Sequence, residues 1–190
     1  MPTLSCRALM VLLAVALPAQ AQTLLPADRP VEQVVDHYID AKIKEAKIVP
    51  AGQCDDANLI RRLTLDLNGR IPTLSEVQNY VQDRDPKKRE KLVDRLLNSP
   101  AFIRHLATEL DTLMMGGLRS SIRDYLIRSL EQKVTWDRIF REVMLPDESD
   151  PRQKGVSNFL LQRVADPDRL TSEVSIIFFG VNVSCAQCHD

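Results

Sequence analysis

Apolar side chains recur along this chain at the three- and four-residue spacing that places them on one face of an α-helix. The first such stripe predicts a helix from about Pro30 to Lys47. Later segments repeat the spacing, in stripes that begin near Leu59, Val77, Leu92, Phe102, Ile122, Trp136 and Leu170. One longer segment, Leu145 to Gly155, breaks the pattern with two prolines and several acidic residues, so we expect it to be a loop.

Polar side chains before these stripes indicate where the helices begin. Asp55 or Asp56 can cap the second helix, and Gly69 can end it in the left-handed conformation. Thr73 with Glu76 is a capping-box pattern. Further starts are predicted at Asp85-Pro86, Ser99-Pro100, Ser121 with Asp124, Thr135, and Asp166-Pro167.

One apolar run allows two interpretations. Val174 to Val183 is rich in Ile, Phe and Val, as a buried strand would be, but its three-four spacing and its capped start favour a helix. No alternating strand pair with a hairpin turn is visible elsewhere. We therefore predict an all-α fold, an irregular multi-helix domain that follows a cleaved signal peptide.

The beginning of the chain indicates export. Ala8 to Leu17 is unbroken and apolar, Pro18 ends it, and Ala19-Gln20-Ala21 has the small-x-small pattern that signal peptidase cleaves. The run is shorter than the about 20 residues that a membrane-spanning helix needs, so a stable membrane anchor is not expected. We predict a signal peptide over 1–21, an N-terminal helix and linker over 22–53, a helical domain over 54–190, and a periplasmic or secreted location.

The charge balance gives no sign of a nucleic-acid partner. Once Arg7 has left with the signal peptide, 24 basic and 26 acidic side chains remain, with both signs interspersed. We interpret them as solvated helix faces. No Ser-His-Asp constellation or glycine-rich phosphate loop is present, so no catalytic residues are assigned.

The chemistry of the chain is concentrated in Cys185-Ala186-Gln187-Cys188-His189. Two cysteines with two residues between them and a histidine directly after them are typical of c-type haem attachment, in which both thiols bond the haem and His189 binds the iron. An export signal supports this interpretation, because such attachment takes place outside the cytoplasm. Three alternatives stay open: a disulfide, a redox-active pair, and a zinc site that would need a fourth ligand such as Cys54.

The second axial ligand of such an iron is not fixed by the sequence. The chemically able side chains are His37, His105, Met114, Met115 and Met144. Met114 and Met144 continue apolar stripes and are expected to fill the core. Cys54 lies in a polar segment before a helix, and we expect a free thiol there.

Three blocks of the sequence resemble a domain of unknown function from planctomycete-type secreted cytochrome-like proteins. Asp55 to Thr73 is similar to its opening D-x-x-F-L-R-R-x-x-L-D-L-x-G-x-x-P-T, and Lys91 to Phe102 to its K-L-V-D-x-L-L-x-S-P-x-F step. Phe178 to Asp190 is similar to its F-L-G-V-x-x-x-C-A-Q-C-H-D-H-P block.

The resemblance implies a secreted module with covalent haem c, and it assigns the attachment role to Cys185, Cys188 and His189 only. The chain stops before the family's next His-Pro and lacks an upstream cytochrome c domain. We therefore expect a piece that is incomplete at its C-terminal end, with further domains downstream.

Three functions remain in competition. The first is electron transfer with a redox partner protein that the sequence does not identify. The second is a redox part of a larger secreted enzyme. The third is a non-haem interaction or scaffold domain whose cysteines form a disulfide or a metal site.

Overall fold

The computed structural model describes residues 24–187, and in that range the chain is helical and without strands. This confirms the predicted all-α class. The helices are α1 Val31–Glu45, α2 Asp56–Asn68, α3 Leu74–Gln82, α4 Lys88–Leu97, α5 Pro100–Met115, α6 Arg123–Glu131, α7 Trp136–Met144, α8 Asn158–Leu161 and α9 Pro167–Phe179, with two 3-10 turns at Pro151–Gln153 and Ser184–Gln187. No helix in the described range is long and apolar enough to cross a bilayer.

The chain divides into two compact units, residues 1–52 and 53–190. In the described part of the first unit, α1 forms where its stripe predicts, but none of its residues is buried. Val31, Val35 and Ile39 are between 52% and 75% exposed. The predicted signal peptide lies outside the described residues.

Most of the predicted helix boundaries in the second unit are confirmed. The side chains of Asp55, Ser99 and Asp166 each accept a hydrogen bond from a backbone N–H in the first turn of their helix. Thr73 starts α3 with the capping box that its sequence indicates. Gly69 ends α2 in the left-handed conformation, with φ of 66°.

The predicted start at Asp85-Pro86 is wrong. The Asp85 carboxylate accepts a hydrogen bond from the Lys87 N–H at 2.8 Å and pairs with Lys91, so it closes a turn before the helix. As a result α4 begins only at Lys88 and has no side-chain cap.

The predicted start at Ser121 differs for another reason. A distant carboxylate, Asp111 of α5, accepts from the Ile122 N–H at 2.7 Å and from the Ser121 hydroxyl at 2.9 Å. Helix α6 then begins at Arg123 without a side-chain cap of its own. Thr135 does precede α7, also without a side-chain cap hydrogen bond.

Two apolar clusters form the core of the second unit. The smaller one joins α2, α3 and α4 through Ile60, Tyr80, Leu92 and Leu96. The larger one is built from α5 to α9 and the segment before α8; its fully buried side chains include Met114, Tyr125, Leu126, Ile139, Val143, Val156 and Phe159. Helix α5 also packs against α2 and α4, so it connects the two clusters.

A buried arginine ties three helices of the larger cluster together. The Arg163 guanidinium donates to the Met114 carbonyl at 2.6 Å, to the Phe159 carbonyl at 2.9 Å and to the Glu173 carboxylate at 2.6 Å. Burial opposes ionisation of Glu173, but hydrogen bonds from Arg169 and Arg163 prevail and lower its pKa. The carboxylate that holds α9 to α8 is therefore ionised at neutral pH.

Candidate functional site

The candidate attachment motif lies beyond the end of α9. The run that could have been a strand is helical up to Phe179, and Gly180 ends it with φ of 67°. The Gly180 N–H donates to the Ile176 carbonyl at 3.1 Å, the bond of a left-handed (αL) helix end, and the Val181 N–H donates to the Ser175 carbonyl at 3.2 Å. The left-handed residue turns the chain, so the motif is separated from the helix by a short connection.

The connection brings the first part of the motif back against α9. The Asn182 side chain accepts from the Ser184 N–H at 3.0 Å, and the Ser184 and Ser172 hydroxyls are hydrogen bonded at 3.0 Å. Ser184–Gln187 then forms a single 3-10 turn. In the part of the motif that the structure describes, a side-chain hydrogen bond and local turn geometry thus hold the turn to α9.

Cys185 lies on this turn with an exposed side chain, and it forms no disulfide with another described residue. Cys188 and His189 lie outside the described residues. The structure therefore describes one of the three predicted site residues, Cys185. Its thiol is accessible from solvent.

A groove of about 330 Å³ lies between the motif turn and α9. Its lining comprises Asp168, Thr171, Ser172 and Ser175 of the helix and Val183 and Ala186 of the turn. This volume is at the low end for a small-molecule site, and the groove is open to solvent. The helix side of the groove offers three hydroxyl groups and the Asp168 carboxylate, whereas the lining residues of the turn side are apolar.

Aromatic side chains of α7 and α9 pack together next to the start of this connection. The ring centroids of Phe140 and Phe178 are 5.0 Å apart, those of Phe140 and Phe179 5.4 Å, and those of Trp136 and Phe178 5.4 Å. Phe179 remains 63% exposed although it belongs to this cluster. The cluster fixes the end of α9, from which the motif leaves, against α7.

None of the five candidates for a second axial ligand lines the groove beside the motif. Met114 and Met115 are buried in the larger cluster, and Met144 packs against it, as expected of core methionines. His105 is on α5, where its Nδ1 atom is 3.8 Å from the Glu109 carboxylate. His37 is exposed on α1.

The described residues contain no group of three or more His, Cys, Asp and Glu side chains that could hold a metal ion. Cys54 is an exposed free thiol. It precedes the Asp55 cap of α2 in the chain, and it lines a cavity with Asp56 and Tyr80.

Comparison with known protein families gives a match that covers the whole second unit. A family model described as "PSCyt2: Protein of unknown function (DUF1549)" matches residues 34–190. The chain belongs to the PSCyt2 family. The match includes the three blocks that carry the resemblance, from Asp55, the cap of α2, to the motif after α9. No curated protein and no solved structure matches this PSCyt2 chain.

Sequence reasoning did not identify the residues of this PSCyt2 chain that face the motif. Asp168, Thr171, Ser172 and Ser175 follow the three-four spacing of a polar face on α9, and that polar stripe was the available signal. The return of Ser184 to Ser172 depends on the left-handed turn at Gly180, and local patterns do not specify such a contact.

Proposed function

We propose that this PSCyt2 chain is an exported c-type-cytochrome-like module that binds haem covalently through Cys185 and Cys188, with His189 as the proximal iron ligand. Its role is electron transfer, or the redox step of a larger secreted protein. The observation that carries the proposal is the CxxCH spacing, together with an exposed Cys185 thiol on a turn held against α9; the predicted export signal supports it.

The described residues are compatible with that attachment. The two thiols add across the haem vinyl groups: each sulfur forms a bond to one vinyl carbon, and the thiol proton ends on the neighbouring carbon. Such an addition needs a thiol that is reachable and not already in a disulfide, which holds for Cys185 among the described residues. Bound haem would supply one-electron transfer at the iron.

Other side chains of the protein position the motif turn and set the polarity of the groove. The Ser172–Ser184 hydrogen bond positions the motif turn against α9. Val183 and Ala186 give the groove an apolar side, and Thr171 and Ser175 give it a polar one. A group seated there would be shielded from water on one edge only, and solvent exposure is one of the factors that set a haem potential.

The test is the intact mass of the protein after expression in a host with periplasmic cytochrome maturation. The denatured protein is expected to begin at Gln22 and to exceed the apo mass by one haem. Cys185→Ala combined with Cys188→Ala removes the added mass, whereas Cys54→Ala, the matched control at another exposed cysteine, retains it. His189→Ala is expected to keep some covalent haem but to change its absorption spectrum.

Two other outcomes would overturn the proposal. A wild-type mass that is two protons below the reduced value, and is restored by reductant, would assign Cys185 and Cys188 to a disulfide. Stoichiometric zinc without haem absorbance would assign the motif to a metal site.

A further inference from the structure

Residues of the block from Asp55 to Thr73 also line a second cavity, which the haem proposal does not use. A shallow cavity of about 340 Å³ lies where the end of α2 meets α5 and α6. Its lining includes Gly69, Arg70, Arg104, His105, Thr108 and Arg123, and none of the described residues that line it is a carboxylate. Three arginines thus share one cavity without an acidic residue in its wall.

Two of these arginines have donors left for a ligand. The Arg104 side chain is exposed, and within residues 24–187 it makes no hydrogen bond or ion pair. Arg123 donates from Nε to the Thr108 hydroxyl at 2.8 Å, which fixes the plane of its guanidinium. Its Nη1 atom is 3.9 Å from the Asp124 carboxylate, whose side chain is 86% exposed, so this pair is weak.

The third arginine serves a structural purpose. Arg70 forms a two-pronged ion pair with Glu76 at 2.8 and 2.9 Å, which neutralises its charge and uses two of its donors. The cavity therefore keeps the positive charge of Arg104 and Arg123, which only the weak Arg123–Asp124 pair opposes. Like charges that share a cavity repel each other, and a bound anion removes that repulsion.

Gly69, in the block from Asp55 to Thr73, shapes the floor of the cavity. A Cβ atom at Gly69 would lie 2.6 Å from the Nδ1 atom of His105, so the imidazole packs directly on the Gly69 backbone. The nearest carboxylate to this imidazole is Glu109, at 3.8 Å. The close packing holds His105 in the cavity wall beside Arg104, its neighbour on α5.

We propose that this cavity binds a doubly charged tetrahedral oxyanion, a sulfate or phosphate group, with Arg104 and Arg123 as its direct ligands. The guanidinium fork matches the spacing of oxyanion oxygens and makes short charge-assisted hydrogen bonds to them. Thr108 acts as a positioning residue through Arg123. This site is independent of Cys185 and of haem.

Calorimetric titration of the whole chain at constant ionic strength tests the proposal, with sodium sulfate, inorganic phosphate and phenyl phosphate as the probes. Saturable binding to one site is expected. Arg104→Gln and Arg123→Gln should each weaken it about tenfold, the loss expected for one hydrogen bond to a charged group. Arg104→Lys, which keeps the charge without the fork, should give an intermediate affinity.

The control is Arg141→Gln on α7, which removes another exposed arginine that does not line this cavity. It should leave the affinity unchanged, and all variants should keep the wild-type circular dichroism. Tighter binding of phenyl phosphate than of inorganic phosphate would support the site and assign it to an ester, and equal binding would support it for the free ion. No saturable binding, or an equal loss in Arg141→Gln, would overturn the proposal.

Discussion

The buried guanidinium of Arg163 offers the sharpest test of how this fold is held together. Only 2% of its side chain is exposed, and it donates to two backbone carbonyls and to Glu173. Its Cζ atom also lies 4.1 Å from the centre of the Phe159 ring. Arg163→Met keeps an unbranched apolar stem about as long as the aliphatic part of the arginine and removes every donor, together with the guanidinium contact on Phe159.

Arg163→Met lowers the free energy of unfolding because it leaves buried acceptors without their donor. The Met114 carbonyl, at the end of α5, and the Phe159 carbonyl lose this buried partner, at about 1–3 kcal/mol each. Glu173 keeps its ion pair with Arg169 at 2.6 Å, so its charge is not left alone. We expect Arg163→Met to lower the free energy of unfolding by about 3–5 kcal/mol.

Arg169→Met is the matched control, because it removes the other partner of the same carboxylate. The Arg169 side chain is 52% exposed, and an exposed pair of this kind contributes at most about 1 kcal/mol. Comparing the two variants separates the buried carbonyl contacts from the ion pair itself.

Urea unfolding followed by the fluorescence of Trp136 provides the measurement. This residue is the single tryptophan of the chain and packs on Phe178 of α9, so it reports on the cluster that Arg163 joins. The midpoint should fall strongly for Arg163→Met and slightly for Arg169→Met, with similar slopes. If the two variants lose the same stability, the buried carbonyl contacts contribute nothing and the reasoning fails.

Two further predictions concern the α2–α3 region. Gly69→Ala should cost clearly more stability than Gly116→Ala in thermal unfolding: both glycines have positive φ, but only at Gly69 would a Cβ meet His105, at 2.6 Å, while nothing lies within 4 Å at Gly116. Equal losses would contradict this. Hydrogen bonding from Arg70, against the opposing effect of burial, lowers the pKa of Glu76 from 4.5 to about 2. The stability from its charge should therefore be present above pH 4.5 and disappear as the pH falls towards 2. Glu76→Gln keeps a capping side chain, so its deficit in unfolding free energy should shrink over that range; a constant deficit would refute the assignment.

The features that the sequence predicted correctly depend on neighbours in the chain. The Thr73–Glu76 capping box and the caps at Asp55, Ser99 and Asp166 each join residues three apart, so the pattern contains all the information that the contact needs. The failure at Asp85 is local as well. A carboxylate before proline can close a turn as readily as it caps a helix, and here the Lys87 N–H and Lys91 decide between the two.

Other features depend on residues far apart in the sequence and could not be predicted from it. Asp111 fixes the start of α6 from 11 positions away, and Arg163 reaches the Met114 carbonyl across 49. The spacing of Cys185, Cys188 and His189 depends on chain neighbours alone, and it predicted covalent haem attachment. The groove beside Cys185 required the turn at Gly180, and the arginine cavity required the packing of α5 against both α2 and α6.

The way in which α9 is attached has a consequence for motion. None of its residues is fully buried, and it is held by half-buried side chains such as Leu170 and Val174 and by the Arg163–Glu173 pair, whereas α5 contributes three fully buried residues. Segments with few buried contacts open locally at a smaller free-energy cost than the core that supports them. We therefore expect the amide hydrogens of α9 to exchange with solvent sooner than those of α5. If α9 opens, the turn that carries Cys185 should move with it, because the Ser172–Ser184 hydrogen bond joins that turn to α9, while α5 keeps its buried contacts.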